Sequence, residues 1–109
     1  AVAEEAGALA QVARALDSLG ALYFEQGRKA EAEERYEQAM ALAAKIGESR
    51  LTGNLMANLA QLREDLEALE EAILYLEHTG HGDRADIFRM ILQDLRSKKA
   101  TAGSEAKRS

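Results

Sequence analysis

His78 and His81 stand three positions apart beside Glu77 and Asp83, and histidines with carboxylates can hold zinc when three or four of them converge. Gly80 falls between the two histidines and breaks the helix that would bring them onto one face. Neither a third strong ligand nor an activated nucleophile stands nearby, so the expectation is a surface turn and no metal. The pairs Glu33-Glu34 and Glu70-Glu71 also invite an acid/base reading. Adjacent residues on a helix do not face each other, so both pairs read as solvated faces. The chain holds no Ser-His-Asp or Cys-His arrangement, no Gly-rich phosphate loop and no cofactor signature. Neither an enzyme nor a cofactor is expected. Tyr23, Tyr36 and Tyr75 fall at helical spacing and are expected to pack.

The elements that carry these residues are helical. In 109 residues there is no Pro and no Cys, and aromatics make up 5%, a composition that favours an all-α domain with a modest core. Without Cys no disulfide framework exists, and a cytoplasmic location is compatible with that. No apolar run approaches the roughly 18 residues that span a bilayer. The start, Ala1-Val2-Ala3-Glu4-Glu5, does not read as a signal peptide. It also lacks Met, which suits a processed form or a segment of a longer chain. Residues 1–82 carry seven Lys/Arg and fifteen Asp/Glu, or −8; residues 83–109 carry seven and four, or +3, summing to −5. An acidic body repels phosphate backbones, and the basic end reads as a solvated tail. No nucleic-acid or membrane partner is expected.

Leu9, Val12, Leu16, Leu19 and Tyr23 recur three or four apart, which predicts a first helix over about 2–26. Gly27 can end it in a left-handed conformation. A second helix is expected over 29–46, with Ala32, Tyr36, Ala39, Ala43 and Ile46 on one face, and Gly47 stops it. Ser49 is a plausible cap for a third over 49–64. Leu66, Leu69, Ile73 and Leu76 begin a fourth apolar face over 67–79, which requires a turn near Asp65 without a glycine. Gly80-His81-Gly82 breaks the chain. Asp83 then suits the start of a fifth helix over 83–98, which carries Ile87, Phe88, Met90, Ile91, Leu92 and Leu95, with Lys98 and Lys99 at its end. Residues 1–99 read as one domain and 100–109 as a polar tail.

A pattern returns after forty residues. Leu16 maps to Met56, Leu19 to Leu59, Gly20 to Ala60, Leu22 to Leu62, Ala32 to Ala72 and Tyr36 to Leu76. The stretch Leu16, Leu19-Gly20, Tyr23, Ala32, Tyr36 and Ala39 resembles a tetratricopeptide repeat, in the longer variety of about forty residues. Leu16 stands where that signature has an aromatic and Ala44 where it has a proline. The resemblance implies an all-α fold: a right-handed stack of antiparallel helix pairs, about two units plus a C-terminal capping helix, forming an α-α superhelix. Arrays of this kind usually need about three repeats, so either the long first helix or a second copy is expected to supply the remainder.

The resemblance also implies a non-enzymatic scaffold or adaptor that binds a protein, as a peptide or a helix, in a concave groove lined by the first helix of each pair. By helical geometry the groove residues are Arg14, Asp17, Ala21, Phe24, Glu25, Asn54, Ala57, Asn58, Gln61 and Glu64. Longer-repeat relatives commonly carry an Asn that hydrogen-bonds a bound main chain just before the Leu-small pair, which is Asn58 here. An amide offers both donor and acceptor; the plainer reading of Asn58 and Gln61 is solvated polar positions. Other members clamp a C-terminal carboxylate with Lys and Asn. Here Asp17 and Ala21 occupy matching positions, so that clamp is not expected. Alternatives are a homo-oligomer formed through the terminal helices, around Leu9, Val12 and the last helix, or a regulatory segment of a larger protein.

Overall fold

Gly27, Gly47 and Gly80 take positive φ angles of 77°, 73° and 85°, a region closed to most side chains. They make three of the four turns that separate the helices among the described residues. The computed structural model describes residues 2–108, with side chains described over 4–101. Five helices follow in order: α1 (Val2–Glu25), α2 (Lys29–Ile46), α3 (Ser49–Arg63), α4 (Leu66–His78) and α5 (Gly82–Arg108).

The turn without a glycine is built on Glu64, which adopts φ 54° and ψ 35°. The Asp65 amide donates to the Ala60 carbonyl at 2.9 Å and the Glu64 amide to Gln61 at 3.1 Å. This is the same double closure made by Arg28 to Tyr23 with Gly27 to Phe24, and by His81 to Leu76 with Gly80 to Glu77. Asp65 then caps α4 by accepting from the Ala68 amide at 3.1 Å.

Two expectations are corrected. The helix α5 continues to Arg108, past Lys98 and Lys99, through the stretch read as a polar tail. Ala100 and Thr101 propagate it, no proline intervenes, and a single Gly103 weakens a helix without stopping it. The side chains beyond Thr101, with Ala1 and Ser109, lie outside the described residues. The repeat spacing also differs, because the first turn's Gly27 corresponds to Glu64, and 64 − 27 is 37 rather than forty.

In that register the small residue changes sides. Leu16 and Ala39 lie eleven before and twelve after Gly27; Gly53 and Leu76 lie eleven before and twelve after Glu64. Tyr23 and Ala32 become Ala60 and Leu69 in the same way. Gly20 and Tyr36 become Ala57 and Ile73, with the order kept. Each crossing therefore joins a large side chain to a small one. A Cβ on Gly20 would lie 2.7 Å from the Tyr36 ring, and one on Gly53 would lie 2.3 Å from Leu76 Cδ2.

Two core clusters result. Tyr36, Ala39 and Ala43 of α2 gather with Leu51, Leu55, Leu59 and Leu62 of α3, so one face of α3 closes on the first pair. Ala57 and Ala60, on its other side, join Leu69, Ile73 and Leu76 of α4 with Phe88 and Leu92 of α5. Leu22 contributes little to the space between the pairs, being 49% exposed. The filling there comes from Leu51 and Leu55. Burial pushes the Tyr36 hydroxyl up to about 12, with the Asp17 and Glu25 charges adding to it.

Candidate functional site

The first helices α1, α3 and α5 are neighbours, and one face of the molecule is built from them. At its centre Asn58 Nδ2 donates to Asp17 Oδ1 at 2.9 Å, joining α3 to α1. One turn earlier on α3, Arg84 Nε donates to Asn54 Oδ1 at 3.1 Å, joining α5 to α3. Positions four apart on a helix share a face, so the two amides form rungs between neighbouring helices. Asn54 is only 9% exposed. Burial raises the Asp17 carboxyl above its ordinary value, against the lowering effects of the Asn58 hydrogen bond and the Arg84 charge.

Two cavities open on this face. A polar one of about 420 Å³ is lined by Arg14, Asp17, Ser18, Glu48, Arg50, Leu51 and Asn54. A more apolar one of about 260 Å³ lies toward the far end of α3, with Phe24, Leu62, Ile91 and Leu95 as walls and Lys29, Gln61, Glu64, Asp94 and Lys98 around them. A larger cavity of about 650 Å³ lies between α4 and α5. Its charged walls are matched to each other, Arg89 with Glu77 and Arg96 with Glu70, which leaves it little to offer a charged ligand.

Of the residues expected in a groove, Arg14, Asp17 and Asn54 reach the polar cavity, and Phe24, Gln61 and Glu64 the apolar one. Asn58 stands on the same face of α3, at the Asp17 rung. Ala21 is half-buried and Glu25 exposed, and neither lines a cavity. Ala57 is corrected: it is fully buried in the second core cluster, because it occupies the close-approach position that Gly20 holds in the first pair.

The sequence reading missed Glu48, Arg50, Arg84, Ile91, Leu95 and Lys98. A signal was present for those on α5. Phe88, Leu92 and Leu95 repeat Leu55, Leu59 and Leu62 at an offset of 33, as does Gly80 after Gly47. That offset makes α5 the next first helix and sets it beside α3.

The histidines have partners within the chain. His78 Nδ1 lies 2.7 Å from the Leu74 carbonyl, and His81 Nε2 lies 3.1 Å from Ser49 Oγ. Among the described residues no group of three or more His, Cys, Asp and Glu side chains is placed to hold a metal ion. No helix among them is long and apolar enough to cross a membrane.

A family model described as Tetratricopeptide repeat matches residues 11–79, which covers α2, α3, α4 and most of α1. No curated protein matches the chain. No solved structure matches it either.

Proposed function

The chain belongs to the tetratricopeptide repeat family, whose repeats serve protein–protein interaction, and from that premise we propose that it binds a peptide or helix along the face of α1, α3 and α5. One observation carries the reading. Asn54 and Asn58 each spend one amide atom on a neighbouring helix and keep the other: Asn54 Nδ2 and Asn58 Oδ1 make no hydrogen bond to a described residue. A donor and an acceptor one helical turn apart, both held in place, match the alternating groups of a peptide main chain. Holding them beforehand lowers the ordering cost of binding. The adjacent apolar cavity would take a side chain. The test is selection from a phage-displayed library of random linear peptides, followed by affinity measurement on variants. Phe24→Ala and Asn58→Ala are each expected to weaken the selected peptides about tenfold, and unchanged affinity in both removes the groove.

Self-association through the last helix is the second reading. On α5, Ile87 and Met90 are 46% and 73% exposed, and a stripe of this kind can pair two copies. Both are flanked by Asp86, Arg89 and Asp94, which limits the stripe. Sedimentation equilibrium decides between them: a strict monomer at high concentration removes this reading.

A further inference from the structure

The charges on the α1, α3 and α5 face are not all matched. Every arginine there is already held: Arg14 by Glu48 at 2.8 Å, Arg50 by Asp83 at 2.8 Å, and Arg84 by Asn54. Lys98 pairs with Asp94 at 3.1 Å, and Lys99 Nζ donates to the Glu64 carbonyl at 2.6 Å. Among the described residues, the carboxylates of Asp17, Glu25 and Glu64 have no cation within ion-pair distance, and Lys29 has no carboxylate. Arg84 and Lys99 bond only neutral oxygens, so across the face three unmatched carboxylates stand against three unmatched cations. Within the polar cavity, Arg14, Glu48 and Arg50 are ion-paired and Asp17 is the charged residue that is not. The most enclosed of these groups is Asp17, which lines the polar cavity beside the buried Asn54.

An anionic ligand entering that cavity would have to displace Glu48 from Arg14 or Asp83 from Arg50, and would then lie against Asp17. A cationic ligand displaces nothing. One Asp17 oxygen accepts from Asn58, and the other remains for an ammonium or guanidinium group. Such a group would give a half-buried carboxylate the ion pair it lacks, since the Arg84 charge acts on it only from beyond ion-pair distance. Glu48 lines the same cavity, and its exposed pairing with Arg14 is of the weak kind, worth at most about 1 kcal/mol.

We propose that the partner is an extended peptide that presents a lysine or arginine to Asp17 in the polar cavity while its main-chain carbonyl accepts from Asn54 Nδ2. This rests on the groove reading above and adds the chemical class of the partner. The spacing follows from α3. Asn54 lines the polar cavity and Gln61 the apolar one, and seven residues of helix rise about 10 Å. An extended chain covers that in about three residues. The peptide therefore carries an apolar side chain about three positions from its cation, seated among Phe24, Leu62, Ile91 and Leu95.

The experiment uses the same displayed random-peptide library against the full chain. Selected peptides are expected to be enriched in Lys or Arg with an apolar residue about three positions away. Their affinity is expected to fall about tenfold with Asp17→Asn, to fall equally when the peptide's own cation is replaced by Gln, and to weaken as salt is raised. The peptide-side replacement keeps the test valid should the protein variant fold poorly. Peptides that need Phe24 and Asn58 but carry no cation, or lose nothing when it is replaced by Gln, overturn this inference and leave the groove standing. Peptides indifferent to Phe24, Asn58 and Asp17 alike, or no selected peptide at all, overturn the groove and this inference with it.

Discussion

Asn58 reaches 41 positions back along the chain to donate to Asp17 at 2.9 Å, so the carboxyl that α1 contributes is held by the helix that begins the second pair. It is held by a neutral amide and not by a cation, which is why burial prevails and its proton is bound more tightly in the folded state. A raised folded value means stability from this group is fully present below the unfolded value of 3.8 and is lost as pH rises through the folded value. Asp17→Asn keeps an acceptor for Asn58 and removes the charge. The variant is expected to match or exceed the wild type at neutral pH by up to about 1 kcal/mol, since solvent screens a half-exposed group. That advantage disappears below about pH 4. Thermal melts across pH measure it, and a variant markedly less stable at neutral pH sinks the assignment.

Glu64 takes a left-handed conformation that costs a side chain about 1–2 kcal/mol. Glycine adopts it freely, at the cost of a more flexible unfolded chain. Its side chain makes no ion pair among the described residues, and the Lys99 contact is to its backbone carbonyl. Glu64→Gly is therefore expected to stabilise by about 0.5–1 kcal/mol, raising Tm by a few degrees. A lower Tm would show that the Glu64 side chain contributes something its contacts do not reveal.

Gly53 and Gly7 should respond oppositely to alanine. A Cβ on Gly53 would lie 2.3 Å from Leu76 Cδ2 and 2.7 Å from Cγ, and Leu76 is fully buried. Gly53→Ala is expected to destabilise by about 1–3 kcal/mol by overpacking, partly offset by alanine's helix preference. Nothing lies within 4 Å of a Cβ on Gly7, so Gly7→Ala is expected to stabilise by up to about 1 kcal/mol. Denaturant midpoints at unchanged slope compare the two. Equal shifts in one direction would mean that the α3–α4 crossing is not close at Gly53.

What could be read from the chain by itself was local. Gly27, Gly47 and Gly80 mark turns because only glycine reaches their φ without strain. The spacing of Tyr36, Ala39 and Ala43 fixes a buried stripe because a helix repeats every 3.6 residues. The placing of Asn54 and Asn58 on one face of α3 follows from the same period. The repeat register was not legible by residue size, because crossings conserve the sum of two side chains rather than either one. Leu16 against Ala39 and Gly53 against Leu76 fill the same kind of space with the sizes exchanged, so matching large to large drew the offset to forty. Only the tertiary structure decided that the offset is 37, through the closure at Glu64. It also decided what surrounds the amides. Arg84 arrives from the next first helix, and Glu48 takes Arg14 across the gap between α1 and α3. A pairing between residues 30 or more positions apart is set by how helices stack, and no local pattern carries that distance.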